Sequence, residues 1–520
     1  MVKTKKNFTE GPIFTRLILF TIPIILSGLL QVIYNMADNI VVGSFSGDDL
    51  ALAAVGCTSS LTTLCVNLLV GLSMGSGVVI AQAYGANDKT RLERSIHTSI
   101  SFSFIIGIVF AVIAFIIAVP ALELMQTKPE LMDRAVLYFR IICCGIPAST
   151  VYNFGAATLR SIGNSKIPLY ILGFSGLLNV VLNLFFVIVC NMAIAGVAVA
   201  TIISQYASAV AVILILMKTK EEGCTLDPKK MIIDKAILGR IIRFGLPAGL
   251  QSSIFSLSNV IITAACNTLP TVAVSAKTIA FNIDGLVYTA MDGYLHATMT
   301  FVGQNYGARR FDRVKKTFIY AVVQVGVLGF LFGQLITLFA GNIASLYIDP
   351  ANPDGPAVIA AAVDLVRFVL MFYFLCGIMN TISGACRGLG NSFAPMIIGI
   401  VITVAVRFGW VFIFFPMPQF NSLVGLFYCW PITWVLSITA LLITFAFTWR
   451  GALRRYEDEK ALAAIGTVDA LDDGGADESI SPDEAIDDAG NGAYEDADEA
   501  ISLDGASDTN TEDEFTEIYE

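Results

Sequence analysis

Residues 15–42 read Thr15-Arg-Leu-Ile-Leu-Phe-Thr-Ile-Pro-Ile-Ile-Leu-Ser-Gly-Leu-Leu-Gln-Val-Ile-Tyr-Asn-Met-Ala-Asp-Asn-Ile-Val-Val42. A helix crosses the roughly 30 Å hydrocarbon core of a bilayer with about 20 apolar residues. This run is long enough, and it holds one acid, Asp38, and one proline, Pro23. Lys3, Lys5 and Lys6 precede it, as in a secretory leader. The run is too long for the core of a leader and has no clean small-residue cleavage site, so it reads as a retained spanning helix.

Eleven further runs of this kind follow, at 50–80, 93–119, 133–160, 167–190, 194–217, 237–265, 272–303, 314–340, 357–387, 393–415 and 423–448. Composition agrees: hydrophobic types make up 56% and charged types 14% of the 520 residues, with a mean hydropathy of +0.73. Soluble domains sit near about 45–50% and about 25%, so an ordinary globular enzyme is excluded. The fold class expected is an all-α polytopic membrane protein with twelve transmembrane helices. The divisions are an N-terminal segment (1–14), a first lobe (15–217), a linker (218–236), a second lobe (237–450) and an acidic tail (451–520).

The net charge of −10 is uneven. From 456 onward the tail holds 23 acids against one lysine, which is −22 and leaves +12 on the remainder. Such a tail cannot bury enough apolar surface to order itself and is expected to be disordered and cytoplasmic. With the N-terminus cytoplasmic, 26 of the 32 basic residues fall on inner segments, among them Arg160, Arg387 and the group from Lys218 to Arg243. The short outer loops carry Asp48, Asp49, Asp349 and Asp354. This bias sets both termini in the cytoplasm of a cell-membrane protein. The basic residues are spread over many loops rather than gathered on one face, which argues against nucleic acid as a partner. The ten cysteines form no C-x-x-C, so zinc and redox motifs lack support. The linker 218–236 contains Gly223 and Pro228 and reads as a flexible connection.

The halves repeat each other. Gln82-Ala-Tyr-Gly-Ala recurs as Gln304-Asn-Tyr-Gly-Ala, 222 residues on; Phe20-Thr-Ile-Pro23 recurs as Phe244-Gly-Leu-Pro247, 224 on. Arg160-Ser-Ile-Gly-Asn-Ser-Lys-Ile-Pro168 recurs as Arg387-Gly-Leu-Gly-Asn-Ser-Phe-Ala-Pro395, 227 on. Each half has six spans, so the repeats are parallel and the lobes pseudo-symmetric. Secondary transporters use such repeats, with the substrate path at their interface. No G-x-x-x-x-G-K-[ST] signature for ATP is present.

Acids inside spans usually face a cavity and serve function. Asp38 shares a helical face with Gln31 and Asn35, and with Tyr34 these are read as cavity residues. In the eighth span Asp284, Tyr288, Asp292 and His296 recur every four residues. Asp292 and His296 are placed to pair, and Asp284, with Gln251 nearby, to meet a cationic substrate. Pro23 and Pro247 are expected to bend their helices. Gly71-x-x-x-Gly75, Gly329-x-x-x-Gly333 and Gly384-x-x-x-Gly388 suit close helix packing. His97 is given no special role. Arg140, Arg367 and Arg407 are expected to pair with acids or to extend toward headgroups.

These blocks, together with Tyr34-Asn-Met-Ala-Asp38-Asn-Ile-Val-Val-Gly43 and Phe244-Gly-Leu-Pro-Ala-Gly-Leu-Gln251, resemble the multidrug and toxic compound extrusion (MATE) family over about residues 10–450. The resemblance implies a V-shaped pair of lobes around a central cavity. It implies no enzymatic activity and no cofactor. It implies export of small organic, often cationic, compounds in exchange for H+ or Na+ by a protein expected to be monomeric in the bilayer. It further implies a first-lobe cation or proton site at Asp38, with Asn153, Asn179, Asn183 and Thr201 as partners. Carboxylate, amide and hydroxyl oxygens suit a hard ion such as Na+. The family often has Asn-x-x-x-Asp in the fifth helix, where this chain has Asn179-Val-Val-Leu-Asn183. Asp38 is then the lone negative charge of the site. A flippase of lipid-linked precursors has a similar helical plan and is the alternative; a more cationic cavity and extra helices would mark it.

Overall fold

The computed structural model describes residues 7–45, 50–348 and 353–472. In lipid a chain satisfies its backbone polar groups within itself, which leaves the helix as the form for each apolar run. The first half contributes α1 (Ile13–Phe45), α2 (Ala51–Ala86), α3 (Lys89–Leu124), α4 (Pro129–Ser161), α5 (Lys166–Leu184) and α6 (Ala193–Met217). The second contributes α7 (Lys235–Cys266), α8 (Thr271–Gly307), α9 (Phe311–Leu338), the short α10 (Ala340–Ser345), α11 (Gly355–Gly388), α12 (Phe393–Gly409), the short α13 (Leu423–Leu426) and α14 (Cys429–Asp472). Among the described residues, eleven helices are long and apolar enough to cross a membrane. The twelfth long helix, α8, carries Lys277, Asp284 and Asp292, and it is this polarity that keeps it out of that set.

The protein is therefore multi-pass, with twelve long helices in two lobes. One core joins α2, α3, α4 and α6 around Ile80, Ile96, Phe154 and Val212. The other joins α8 and α11 with parts of α7 and α14 around Ile283, Val287, Leu365 and Tyr373. Phe104 and Ile116 on α3, Leu177 on α5, Leu331 on α9 and Phe412 just after α12 remain exposed, a surface suited to acyl chains rather than water. Pro23 and Pro247 lie inside α1 and α7, which continue through them. α5 and α12 each run into a single π-helical turn, Phe185–Val189 and Trp410–Phe414. These turns are another expression of the repeat.

The duplicated motifs meet in space. Gln82 Nε2 on α2 donates to Gly388 O (3.0 Å), and Gln304 Nε2 on α8 donates to Ser161 O (2.7 Å). A Cβ on Gly85 would lie 1.9 Å from Gln304 O, and one on Gly307 would lie 2.0 Å from Gln82 O. Only glycine lets these helix ends approach so closely. Gly71 and Gly75 similarly seat the backbone of α7 at Gly249 and Gly245. The residues before α1 reinforce the seam between the halves. Phe8 N–H donates to Gln304 Oε1 (2.9 Å), its ring stacks on Phe301 at 3.9 Å, and Arg313 Nη2 donates to Phe8 O (3.0 Å).

The linker is fastened rather than free. His97 donates from Nδ1 to Glu93 O (2.7 Å) and accepts from Asp227 N–H at Nε2 (3.0 Å). Thr98 Oγ1 accepts from Asp234 N–H (3.1 Å), and Asp234 then caps α7. Lys89 pairs with Glu222, holding the Glu222 carboxyl below its ordinary range, and Glu93 pairs with Lys230 and raises that ammonium. The expectation of a flexible connection overlooked His97 and Thr98, whose acceptors are filled only when the linker folds back. Lys3, Lys5, Lys6, Asp48, Asp49, Asp349 and the tail from 473 lie outside the described residues.

Candidate ion and cargo sites

In the first lobe, α1 turns Asp38 toward α5 and α6. Asp38 Oδ1 accepts from Asn183 Nδ2 at 2.5 Å, and Oδ2 accepts from Thr201 Oγ1 at 3.4 Å. Asn183 Nδ2 also donates to Asn179 Oδ1 (3.0 Å), and Asn179 Nδ2 donates to Thr201 Oγ1 (3.3 Å). Thr201 has one hydroxyl proton, shared between Asp38 and Val197 O at 2.9 Å. The two asparagines are fully buried. Tyr34 and Tyr138 stand close enough to interact with the carboxylate.

Both amide hydrogens of Asn183 are thus used, while its Oδ1 is buried with no hydrogen-bond partner among the described residues. The chemistry on offer is one carboxylate, two amide oxygens and one hydroxyl. All are hard oxygen donors, with a single negative charge. This set fits a proton or a monovalent hard cation better than a divalent metal, which favours several carboxylates. Among the described residues no group of three or more His, Cys, Asp or Glu forms a metal cluster.

Asn153 does not belong to this site. Its Nδ2 donates back to Ser149 O (2.9 Å), and it lines a separate pocket with Cys65 and Gln205. It sits on α4, and among the described residues the hydrogen bonds to Asp38 come from α5 and α6. The polar face of α1 also divides. Tyr34 and Asp38 are half-buried, whereas Gln31 and Asn35 remain exposed and pair with each other, Gln31 Nε2 donating to Asn35 Oδ1 at 3.3 Å. At 100° per residue the four cover about a quarter of the helix circumference, and the lobe packs over one edge of that arc.

In the second lobe a cavity of about 410 Å³ opens between α7, α8, α11, α12 and α14, with α2 closing one side. Asp284, Tyr288 and Asp292 line it from α8 and Gln251 from α7. Asp292 and His296 are 3.6 Å apart, too far for a hydrogen bond. His296 instead faces a small pocket with Arg160 between the lobes.

Two arginines are buried inside the second lobe. Arg387, counted with the inner segments, is 3% exposed and donates to Gln251 Oε1 (2.7 Å) inside the cavity. Arg407, expected to pair with an acid or to reach headgroups, is 2% exposed. Its Nη1 donates to Ser258 Oγ (2.7 Å) and Asn259 Oδ1 (2.6 Å), and its guanidinium lies over the Phe255 ring at 4.6 Å. Neither direction had a signal in sequence, because an arginine at a span end, as Arg387, or within a span, as Arg407, looks the same whether it points outward or inward. The cavity is therefore amphoteric, not acidic. Lys277 is also internal, donating to Thr263 Oγ1 at 2.6 Å.

Comparison with known proteins agrees with this plan. The chain is 27% identical over 462 residues to the probable multidrug resistance protein YoeA of Bacillus subtilis, covering 86% of this chain and 96% of the relative. It is 25% identical over 432 residues to the probable multidrug resistance protein NorM of Thermotoga maritima, covering 79% and 88% respectively. A crystal structure of MATE in the bent conformation superposes with a TM-score of 0.77 at 22% identity, over 88% of this chain and all of that one, which supports the fold. The MatE family model matches twice, over residues 23–185 and 247–411, once in each half. The chain belongs to the MatE family, a family of membrane transporters and not of enzymes.

Proposed function

We propose that this chain is a secondary active antiporter that exports small organic compounds across the cell membrane in exchange for H+ or Na+, with the Gln82/Gln304 seam at the cytoplasmic side. The observation that carries this reading is Asp38, a lone carboxylate held by Asn183 and Thr201 beside a partnerless amide oxygen inside the first lobe. A proton or Na+ bound there cancels the charge that orients both donors. The grip of α5 and α6 on α1 then weakens, and α1, which also packs on α8 and α9 of the other lobe, is free to shift. Pro23 on the same helix offers a place for the bend. The second-lobe cavity is the cargo chamber, open alternately to either side as the seam closes or parts. The names of the multidrug relatives support the same cargo class.

The test is uptake of a fluorescent organic cation into inside-out vesicles, with proton and sodium gradients imposed separately. One of the two gradients is expected to drive accumulation. Accumulation driven by ATP without a gradient, or indifference to both gradients, would overturn the reading.

A further inference from the structure

We propose that the cleft between the linker and the first turns of α3 binds an anionic phospholipid from the membrane leaflet on the linker side, with the phosphate beside Arg94 and Lys229 and an acyl chain along α3. This site is separate from the ion and cargo sites and stands whatever the protein exports.

The head of the site is a charge imbalance. A cleft of about 470 Å³ opens where the linker folds back on α3, lined in part by Glu93 and Arg94 from the helix and by Lys229, Lys230 and Ile232 from the linker. Three cations thus face one carboxylate. That carboxylate, Glu93, is already paired with Lys230 at 2.9 Å. Asp227, two residues before Lys229, accepts from the Lys229 backbone N–H (2.9 Å) and not from its ammonium. Arg94 and Lys229 are exposed, and neither side chain has a hydrogen-bond or ion-pair partner among the described residues. Two such cations beside a membrane surface attract anionic headgroups, and the planar fork of an arginine matches a phosphate.

The remainder of the site is apolar. Arg94, Ser101, Phe104 and Ile108 follow one another at seven, three and four residues and share one face of α3. Phe104 and Ile108 are exposed on that face. At the helical rise Phe104 lies about 15 Å along the axis from Arg94, so the face passes from cation to hydrocarbon within the reach of one phospholipid. The linker repeats this order: Lys229 and Lys230 precede Met231, Ile232 and Ile233, all three exposed. Ser101 Oγ lies 3.8 Å from Met231 Sδ, which sets the two apolar steps side by side. Three exposed apolar residues in succession suit water poorly; next to cations at the end of a spanning helix they suit the boundary between headgroups and acyl chains. An acidic peptide or a free phosphate would engage the cations and leave this apolar strip uncovered.

The test is native mass spectrometry of the full chain in detergent, titrated with phosphatidylglycerol, phosphatidylcholine or glycerol phosphate. The first phosphatidylglycerol is expected to bind about tenfold more tightly than the first phosphatidylcholine, the scale of two surface charges, and glycerol phosphate is expected not to bind at the same concentration. Arg94→Gln combined with Lys229→Gln should bring the lipid ratio to about one. Lys218→Gln combined with Lys220→Gln, exposed linker positions outside the cleft, should leave it unchanged. Ile232→Ser should weaken both lipids alike. Equal binding of the two lipids by wild type, or an unchanged ratio in the Arg94 and Lys229 double variant, would overturn the proposal. An equal fall in the Lys218 and Lys220 control would replace the site with diffuse surface charge. Glycerol phosphate binding as tightly as phosphatidylglycerol, or Ile232→Ser without effect on either lipid, would assign the cleft to a soluble anion and overturn the proposal as well. Should the double variant fail to fold, Lys229→Gln alone and the wild-type ratio decide.

Discussion

At the offset of 224 that relates Phe20 to Phe244, Asp38 of the first lobe falls opposite Ile262 of the second, which is fully buried in an apolar core. At the offset of 222 that relates Gln82 to Gln304, Asp284 and Asp292 fall opposite Thr62 and Val70, and at 227 Arg407 falls opposite Val180. The seam behaves differently. Gln82 and Gln304, Gly85 and Gly307, and Ser161 and Gly388 keep equivalent contacts in both halves. After duplication, the packing that closes the bundle stayed symmetric while the charges diverged. One lobe has a single acid among amides, and the other has two acids and Arg407 in an aromatic chamber, beside Arg387, whose repeat counterpart is Arg160. Under the proposed function, this difference amounts to a division of labour between ion and cargo built on one helical plan.

Four measurements probe that division. The largest effect is expected from Asp38→Asn. In protein that inserts and elutes normally, gradient-driven export should fall to background, at least about tenfold, because an amide can neither bind nor release a proton. Wild-type export by this variant would break the comparison at its root.

Next come the seam glycines. Gly85→Val and Gly307→Val each place a side chain where even a Cβ has no room, and each should cost about 1–3 kcal/mol by overpacking. Thermal unfolding in detergent should show similar falls for the two. A fall in only one would mean that the seam is less symmetric than its contacts.

Asn183→Asp should sharpen the ion assignment. A second carboxylate beside Asp38 strengthens a hard-cation site, so the sodium concentration for half-maximal export should drop, by about tenfold if one added charge dominates. No sodium response in either protein would favour the proton.

The smallest effect is expected at the linker. His97→Ala removes the acceptor of Asp227 N–H and should cost about 1 kcal/mol. Faster limited proteolysis between Lys218 and Lys230, with export unchanged, is the expected result. An unaltered cleavage rate would show that the two ion pairs hold the linker without His97.

The order of apolar runs, their lengths and the repeated blocks were sufficient for twelve helices in two lobes, since a bilayer permits little else. They also singled out Asp38, because an acid inside an apolar run has no ordinary reason to be there; Asn179, Asn183 and Thr201 followed only from the family resemblance. What the tertiary structure alone decided was direction. Only packing could reveal that Arg387 and Arg407 point into a chamber, that Asn153 serves another pocket, and that His97 receives the linker. Periodicity fixes which residues share a helix face, but the partner of that face depends on neighbours distant in sequence. For a charged side chain that partner decides between lipid headgroup, counter-ion and cargo.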